Sequence, residues 1–369
     1  MKRSLFAVVC ALACVLSASA EGKFKFGIAT FPSTDPTLLA ITNIEKTVVK
    51  AAGGDVITDT PTASSPEASI ASVERLITAG AQGLIVMPMA DSMLPRVTKM
   101  CEEAKVYWAI SFRTINDPEI KKLVEASPYY VGNCYEDETA AGYNITKMLA
   151  QQGVKNLALI TIPKGDTTAE RREAGIKKAT AEFGIKVVGE IRNIQQASDA
   201  TKAIESLLAT YPELDGVFVV ASTVTGIVPA LLKGLDNHGK AGKVKLARID
   251  FYAEMTEAFK ANTMHATAGG HLVVDPMFAT AMAVNAVMGK PLSRTPFSLT
   301  VNFMYIKSAD ESAKYFKYVE GAVPVYTEDE IRSLMLKAFN PNVTPESLQK
   351  LAASYSIDDV IKRHKDLVK

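Results

Sequence analysis

Short apolar runs alternate with amphipathic segments along this chain for about four rounds, pause at residues 129–135, and alternate for about four rounds more. Strands separated by helices of about 12–15 residues run parallel, because each return to the same end of a sheet needs a long crossover. Such crossovers are right-handed and cover both faces of the sheet. The run Gly83-Leu84-Ile85-Val86-Met87 is apolar throughout, as a central parallel strand buried on both faces should be. The pattern predicts an α/β chain of two doubly wound parallel-sheet lobes. The stretch Tyr129-Tyr130-Val131-Gly132-Asn133-Cys134-Tyr135 is their first connection, and a cleft lies beside it.

Helix starts and stops support this segmentation. Asp35-Pro36 and Ser65-Pro66-Glu67 carry capping chemistry, and Gly53-Gly54, Gly153 and Gly184 follow helix ends. Strands are expected at 24–30, 56–58, 83–87 and 106–111 in the first lobe. A helix over 136–152 opens the second lobe, with strands at 157–162, 186–191, 216–220 and 244–249. Residues 265–268 are read as the second crossing, the helix 275–288 as a return to the first lobe, and the long strand 297–305 as the carrier of a third. The lobes are thus 21–132 with 271–305, and 133–270. The remainder, 306–369, is an extension in which 327–339, 344–355 and 356–367 read as three helices packed on the outside, with cap chemistry from Thr327 with Glu330 and Thr344 with Glu346.

Composition narrows the partners. With 369 residues, 48% hydrophobic and 22% charged, the chain is long enough for two cores. Its net charge of +1 is no footprint for nucleic acid or an anionic membrane. Lys2 and Arg3, an apolar run over 5–16, and Ala18-Ser19-Ala20 before Glu21 read as an export signal that is cleaved near Glu21. That run is too short to span a bilayer, which takes roughly 20 residues. The expectation is therefore a periplasmic, monomeric mature chain; a lipoprotein anchored at Cys14 is the alternative. Cys101 and Cys134 remain, and are expected as buried, unpaired thiols rather than a disulfide.

Ligands of open α/β sheets sit beyond the carboxyl ends of the strands. That rule selects Phe31 and Asp35 in the first loop, Phe112 and Arg113, Thr168, Ser222, Asp250 and Phe251, with Asn133, Tyr135 and His271 at the crossings. Rings, hydroxyls, carboxylates and arginines together suit a sugar: flat faces for its C–H surface, bidentate groups for vicinal hydroxyls. Each residue also has a plain structural reading. Asp35 and Asp250 could only cap helices, one of Arg171 and Arg172 could pair with a glutamate in solvent, His271 could be a loop residue, and Trp108 belongs to the core. No Gly-x-Gly-x-x-Gly, phosphate loop, nucleophile elbow or His-Glu-x-x-His occurs, and the four histidines are dispersed. No catalytic residue, metal or cofactor is expected.

Taken together, Asp35-Pro36, Ser111-Phe112-Arg113, Arg172-Glu173-Ala174-Gly175-Ile176 and Ile249-Asp250-Phe251 resemble type I periplasmic solute-binding proteins of the ribose/galactose-binding branch, over roughly residues 23–305. The resemblance implies two lobes on a three-strand hinge, a ligand clamped by closure, and delivery to the permease subunits of an ABC importer in the inner membrane. It also implies that Arg113 and Arg172 grip hydroxyls from the two lobes, with Asp250 as the second-lobe carboxylate. The chain departs from the pattern at Phe112, where the family has Asp, at Ala221-Ser222, at Gly270-His271, and at Thr37 and Leu38 in place of rings. Fewer hydroxyl-gripping groups suit an anionic or carbonyl-bearing sugar derivative. The rival reading is a periplasmic sensor subunit that binds a signal molecule and docks a membrane receptor. An exported enzyme lacks its chemistry here, and a sugar-responsive repressor lacks its DNA-binding start.

Overall fold

The computed structural model describes residues 23–30, 36–63, 65–222, 224 and 226–367. The leader and the loop with Phe31 and Asp35 lie outside the described residues, as does Thr223. The first lobe runs β1 (Lys25–Ala29), α1 (Pro36–Ala51), β2 (Asp55–Asp59), α2 (Pro66–Thr78), β3 (Gly83–Val86), α3 (Leu94–Ala104), β4 (Tyr107–Ile110), α4 (Pro118–Glu125) and β5 (Tyr130–Glu136). The second runs α5 (Glu138–Gln151), β6 (Asn156–Thr161), α6 (Thr167–Phe183), β7 (Lys186–Arg192), α7 (Ala197–Thr210), β8 (Gly216–Val219), α8 (Ile227–Asn237), β9 (Lys245–Ile249), α9 (Met255–Lys260) and β10 (Ala266–Gly269). The chain then returns through α10 (Asp275–Val287) to β11 (Phe297–Val301), crosses again to β12 (Met304–Ile306), and ends in α11 (Ala309–Tyr318), α12 (Glu328–Met335), α13 (Pro345–Ser354) and α14 (Ile357–His364).

Two six-stranded sheets result, in the orders β2-β1-β3-β4-β5-β11 and β7-β6-β8-β9-β10-β12. All pairings are parallel except β10 with β12, which is antiparallel because β12 enters its sheet straight from β11. The expected long strand 297–305 is thus two strands in two sheets, broken at Asn302-Phe303. One correction concerns Glu136. Periodicity puts it at the start of a helix, but it ends β5, paired with Val301, and the helix begins at Glu138 behind the cap of Asp137. Gly132 makes that strand pairing possible: it sits at φ 131°, and a Cβ there would lie 1.8 Å from the Phe297 carbonyl oxygen.

α10 has no polar face, and every residue from Asp275 to Ala286 is buried beneath the first sheet. The extension packs its apolar side chains into the same core: Tyr326, Ile331, Met335, Leu348 and Tyr355 are buried with α1 and α10. Its α11 is an element the sequence pattern did not suggest, and the partner that closes the Thr344 cap is Ser347, not Glu346. Cys101 and Cys134 are both buried free thiols.

The contact between α5 and α6 positions the buried charges of the second lobe. A Cβ on Gly142 would lie 2.0 Å from the Arg172 carbonyl oxygen, and one on Gly175 would lie 2.0 Å from that of Thr139. Only glycine lets the two backbones approach so closely, and the approach sets Glu138 beside Arg172. Gly175→Ala is therefore expected to force the helices apart and lower stability by about 1–3 kcal/mol, as overpacked cores do. Denaturant unfolding checks this against Ala174→Gly, which adds no such clash.

Candidate functional site

Two strand ends turn sharply at the carboxyl edge of the sheets. Phe112, after β4, has φ 60°, and Asp250, after β9, has φ 77°. Backbone in this region costs a side-chain-bearing residue about 1–3 kcal/mol and persists only where its surroundings impose it. Phe112 is held by a hydrogen bond from its N–H to Asp275 Oδ1 at 3.0 Å. Arg113 follows this turn and donates from Nη1 to the Phe112 carbonyl at 3.0 Å. Asn133 supports it, donating from Nδ2 to the Arg113 carbonyl at 2.9 Å and accepting from Ser298 Oγ at 2.7 Å.

Across the cleft, Arg172 is 4% exposed. Its Nε donates to Glu138 at 2.6 Å, its Nη2 to the same carboxylate at 3.2 Å, and its Nη1 to the Val220 carbonyl at 2.9 Å. Asp250 lies 3.6 Å from Nη1. Burial works against the charge on Arg172, but Glu138 and Asp250 outweigh it and hold its proton more tightly than usual. Burial likewise acts to raise Asp250, yet Arg172, His271 and Arg248 prevail and keep its carboxyl below the usual range. His271 Nε2 is 3.6 Å from Asp250, its ring centre 4.5 Å from that of Phe303, and Phe112 meets it edge-on. Burial pushes His271 down to about 4, so it is neutral at pH 7.

Arg113 and Arg172 both act electrostatically on the buried side chains of Glu136, Glu138 and His271. Thr168 is buried one turn before Arg172 on α6. Tyr135 is half-buried, and the Arg171 guanidinium sits 5.9 Å above its ring while donating to Thr114 Oγ1 of the first lobe. The arginine expected in solvent therefore bridges the lobes, and the one expected to grip ligand is already engaged by two carboxylates. Two further candidates have local partners. Ser222 Oγ accepts from the Val224 N–H at 3.1 Å. Phe251 packs on Gly269 and, 4.5 Å between ring centres, on Tyr315 of the extension.

Sequence reasoning passes over Glu138, Asp275, Glu45 and the side chain of Glu136. Burial drives Asp275 and Glu45 each up to about 8 and, with repulsion from Asp275, lifts Glu136 well above the carboxylate range. Both oxygens of Glu136 and Oδ2 of Asp275 are buried without a hydrogen-bond partner among the described residues. An aspartate before a proline, at 275–276 as at 35–36, is the available signal for Asp275. No group of His, Cys, Asp or Glu among the described residues is arranged to hold a metal ion. No helix of the described residues is long and apolar enough to cross a membrane.

Residues 39–291 match the model of the periplasmic binding protein domain, and the chain belongs to that family. No curated protein matches the sequence. Among solved structures, a periplasmic solute-binding protein of an ABC transporter from Actinobacillus succinogenes with bound D-allose is 20% identical, with a TM-score of 0.68 over 79% of this chain and 100% of that one. One from Burkholderia graminis in complex with D-arabinose is 20% identical, with a TM-score of 0.66 over 79% and 97%. A third, from Bacillus halodurans with bound myo-inositol, is 18% identical, with a TM-score of 0.66 over 80% and 98%. The fold is that of a type I periplasmic binding protein, two lobes on a hinge.

Two outcomes are expected at this site. Glu138→Ala leaves the Arg172 charge buried and half-compensated, and should cost about 3–5 kcal/mol in denaturant unfolding. The second concerns pH. A carboxyl with a raised folded pKa binds a proton that unfolding releases, so its contribution falls as pH climbs from about 4 to about 8 for Asp275 and Glu45. His265 and His271, lowered from 6.5 to about 4, act in the opposite sense and only below 6.5. Between pH 6.5 and about 8 the melting temperature should fall, and Asp275→Asn should flatten that fall; a parallel slope in the variant would contradict it.

Proposed function

We propose that this protein is an exported solute receptor that captures a small polyhydroxylated ligand, a sugar, polyol or sugar derivative, between its lobes and hands it to the permease subunits of an ABC importer. The observation that carries the reading is the convergence of Arg113 from the first lobe and the Arg172–Asp250 pair from the second on one set of buried groups. The relatives with D-allose, D-arabinose and myo-inositol support the ligand class. The protein binds and releases its ligand unchanged; it is not an enzyme, and it works as a monomer in the periplasm.

In this reading the lobes follow the two sheets and rotate about residues 136–138, 270–274 and 302–303. Arg113, whose described hydrogen bond is to its neighbour's carbonyl, supplies the donors for ligand hydroxyls. Asp250 supplies the carboxylate, Phe112 and Tyr135 the flat faces, and Thr168 and His271 complete the wall. Arg172 fixes Asp250 rather than the ligand. Closure brings Arg171 to Thr114, shutting the mouth and excluding water, which strengthens the charged contacts inside.

The test is a thermal-shift screen with D-allose, D-arabinose, myo-inositol and glycerol, extended to sugar acids. A ligand at about 100 times its Kd stabilises by about 2.7 kcal/mol, a rise of several degrees. Arg113→Ala is expected to remove the rise while leaving the unliganded melting temperature near that of wild type. No rise with any sugar, polyol or sugar acid, or an undiminished rise in the Arg113 variant, rejects the assignment.

A further inference from the structure

The C-terminal extension touches both lobes and the hinge between them. Its first helix, α11, lies on α9 of the second lobe, with Ser312 Oγ and Thr256 Oγ1 2.6 Å apart. The chain then passes to the first lobe, where Arg332 Nε donates to the Ala51 carbonyl at 2.9 Å and Asn285 binds the backbone at Met335 and Lys337. α13 runs beside β11, an edge strand whose free backbone groups would otherwise face solvent. Gln349 occupies the place of a neighbouring strand: its Nε2 donates to the Thr300 carbonyl and its Oε1 accepts from the Thr300 N–H, both at 3.0 Å.

The contacts continue onto two of the crossings. Asn302, which links β11 to β12, donates from Nδ2 to the Ala353 carbonyl at 2.8 Å. Tyr355 donates its hydroxyl to the carbonyl of Gly270, the residue at φ 82° where β10 leaves for α10, at 2.8 Å. Between the extension and the second lobe a groove of about 880 Å³ remains, with Asn144 of α5 on one wall, Ser354 and Ser356 on the other, and Phe303 at its base. Phe303 also stacks on His271, so the 302–303 link separates this groove from the ligand cleft. A rotation that parts the lobes at the cleft swings α5 toward the extension and narrows the groove.

We propose that the C-terminal extension is a hinge stop: α13 and Tyr355 grip two crossings and limit how far the lobes can part, which sets the affinity of the cleft. This rests on the reading of a two-lobed receptor and adds a control to it. A receptor restricted in opening spends more of its time in the binding-competent form, and its apparent affinity rises in proportion.

The experiment needs no ligand. Spin labels on cysteines at Glu119 and Lys164, exposed on opposite sides of the mouth, report the interlobe distance in the chain from Glu21 onward, which lacks Cys10 and Cys14 of the leader, and the buried Cys101 and Cys134 stay unlabelled. Asn302→Ala and Tyr355→Phe, which remove the hydrogen bonds to the two crossings, should shift the distance distribution to longer values. Ser354→Trp, which fills the groove, should shift it to shorter values. Arg332→Ala, a contact to the first lobe alone, should lower the melting temperature and leave the distribution in place. Wild-type distributions in Asn302→Ala and Ser354→Trp, in samples with native circular dichroism, overturn the proposal even if Tyr355→Phe fails to fold. A failed sugar screen leaves these distances unchanged and bears only on the ligand.

Discussion

Arg172 is a full charge taken out of water, and the second lobe is built around meeting it. Removing an ion from water costs several kcal/mol that only close, well-oriented carboxylates offset. Glu138 provides two of the hydrogen bonds, and Asp250 provides a second negative charge from a different element. Those positions depend on backbone features remote from the charge. The glycines at 142 and 175 bring α5 against α6, and the left-handed turn after β9 swings Asp250 inward. Each depends on the others, so packing, strain and electrostatics form one unit on this side of the cleft.

The facing lobe uses a different device for a similar end. Phe112 is also strained, and the carboxyl that holds it, Asp275, belongs to the segment that has just crossed back from the second lobe. Position at the floor of the cleft is thereby tied to the hinge. Glu45, Glu136 and Asp275 lie together in a dry environment that favours their neutral forms. The extension adds hydrogen bonds to the same crossings from the outer side.

Much of the secondary structure is legible from periodicity. The strand at 83–86 and the helix caps at Ser65 and Thr327 fall where apolar spacing and turn chemistry put them. α11 and α4 escape that reading, although Ser308 and Asp117-Pro118 are ordinary helix starts. For the proposed site, the strand-end rule selects Phe112, Arg113, Asp250 and His271 as candidates. It does not separate Arg171 from Arg172, because adjacent residues on a helix differ by about 100° and nothing local says which faces the core. Nor does it find Glu138, whose partner lies 34 residues further on.

Local patterning determined that this chain makes two mostly parallel sheets and which loops follow most of their strands. Those properties come from the period of the apolar residues and from the few residues that start and stop helices. Tertiary structure alone decided which arginine is locked and which spans the mouth, which carboxyls lose their charge, and that the extension reaches the hinge. Such outcomes depend on distance and desolvation between residues far apart in the chain. Neither quantity exists until the lobes have packed.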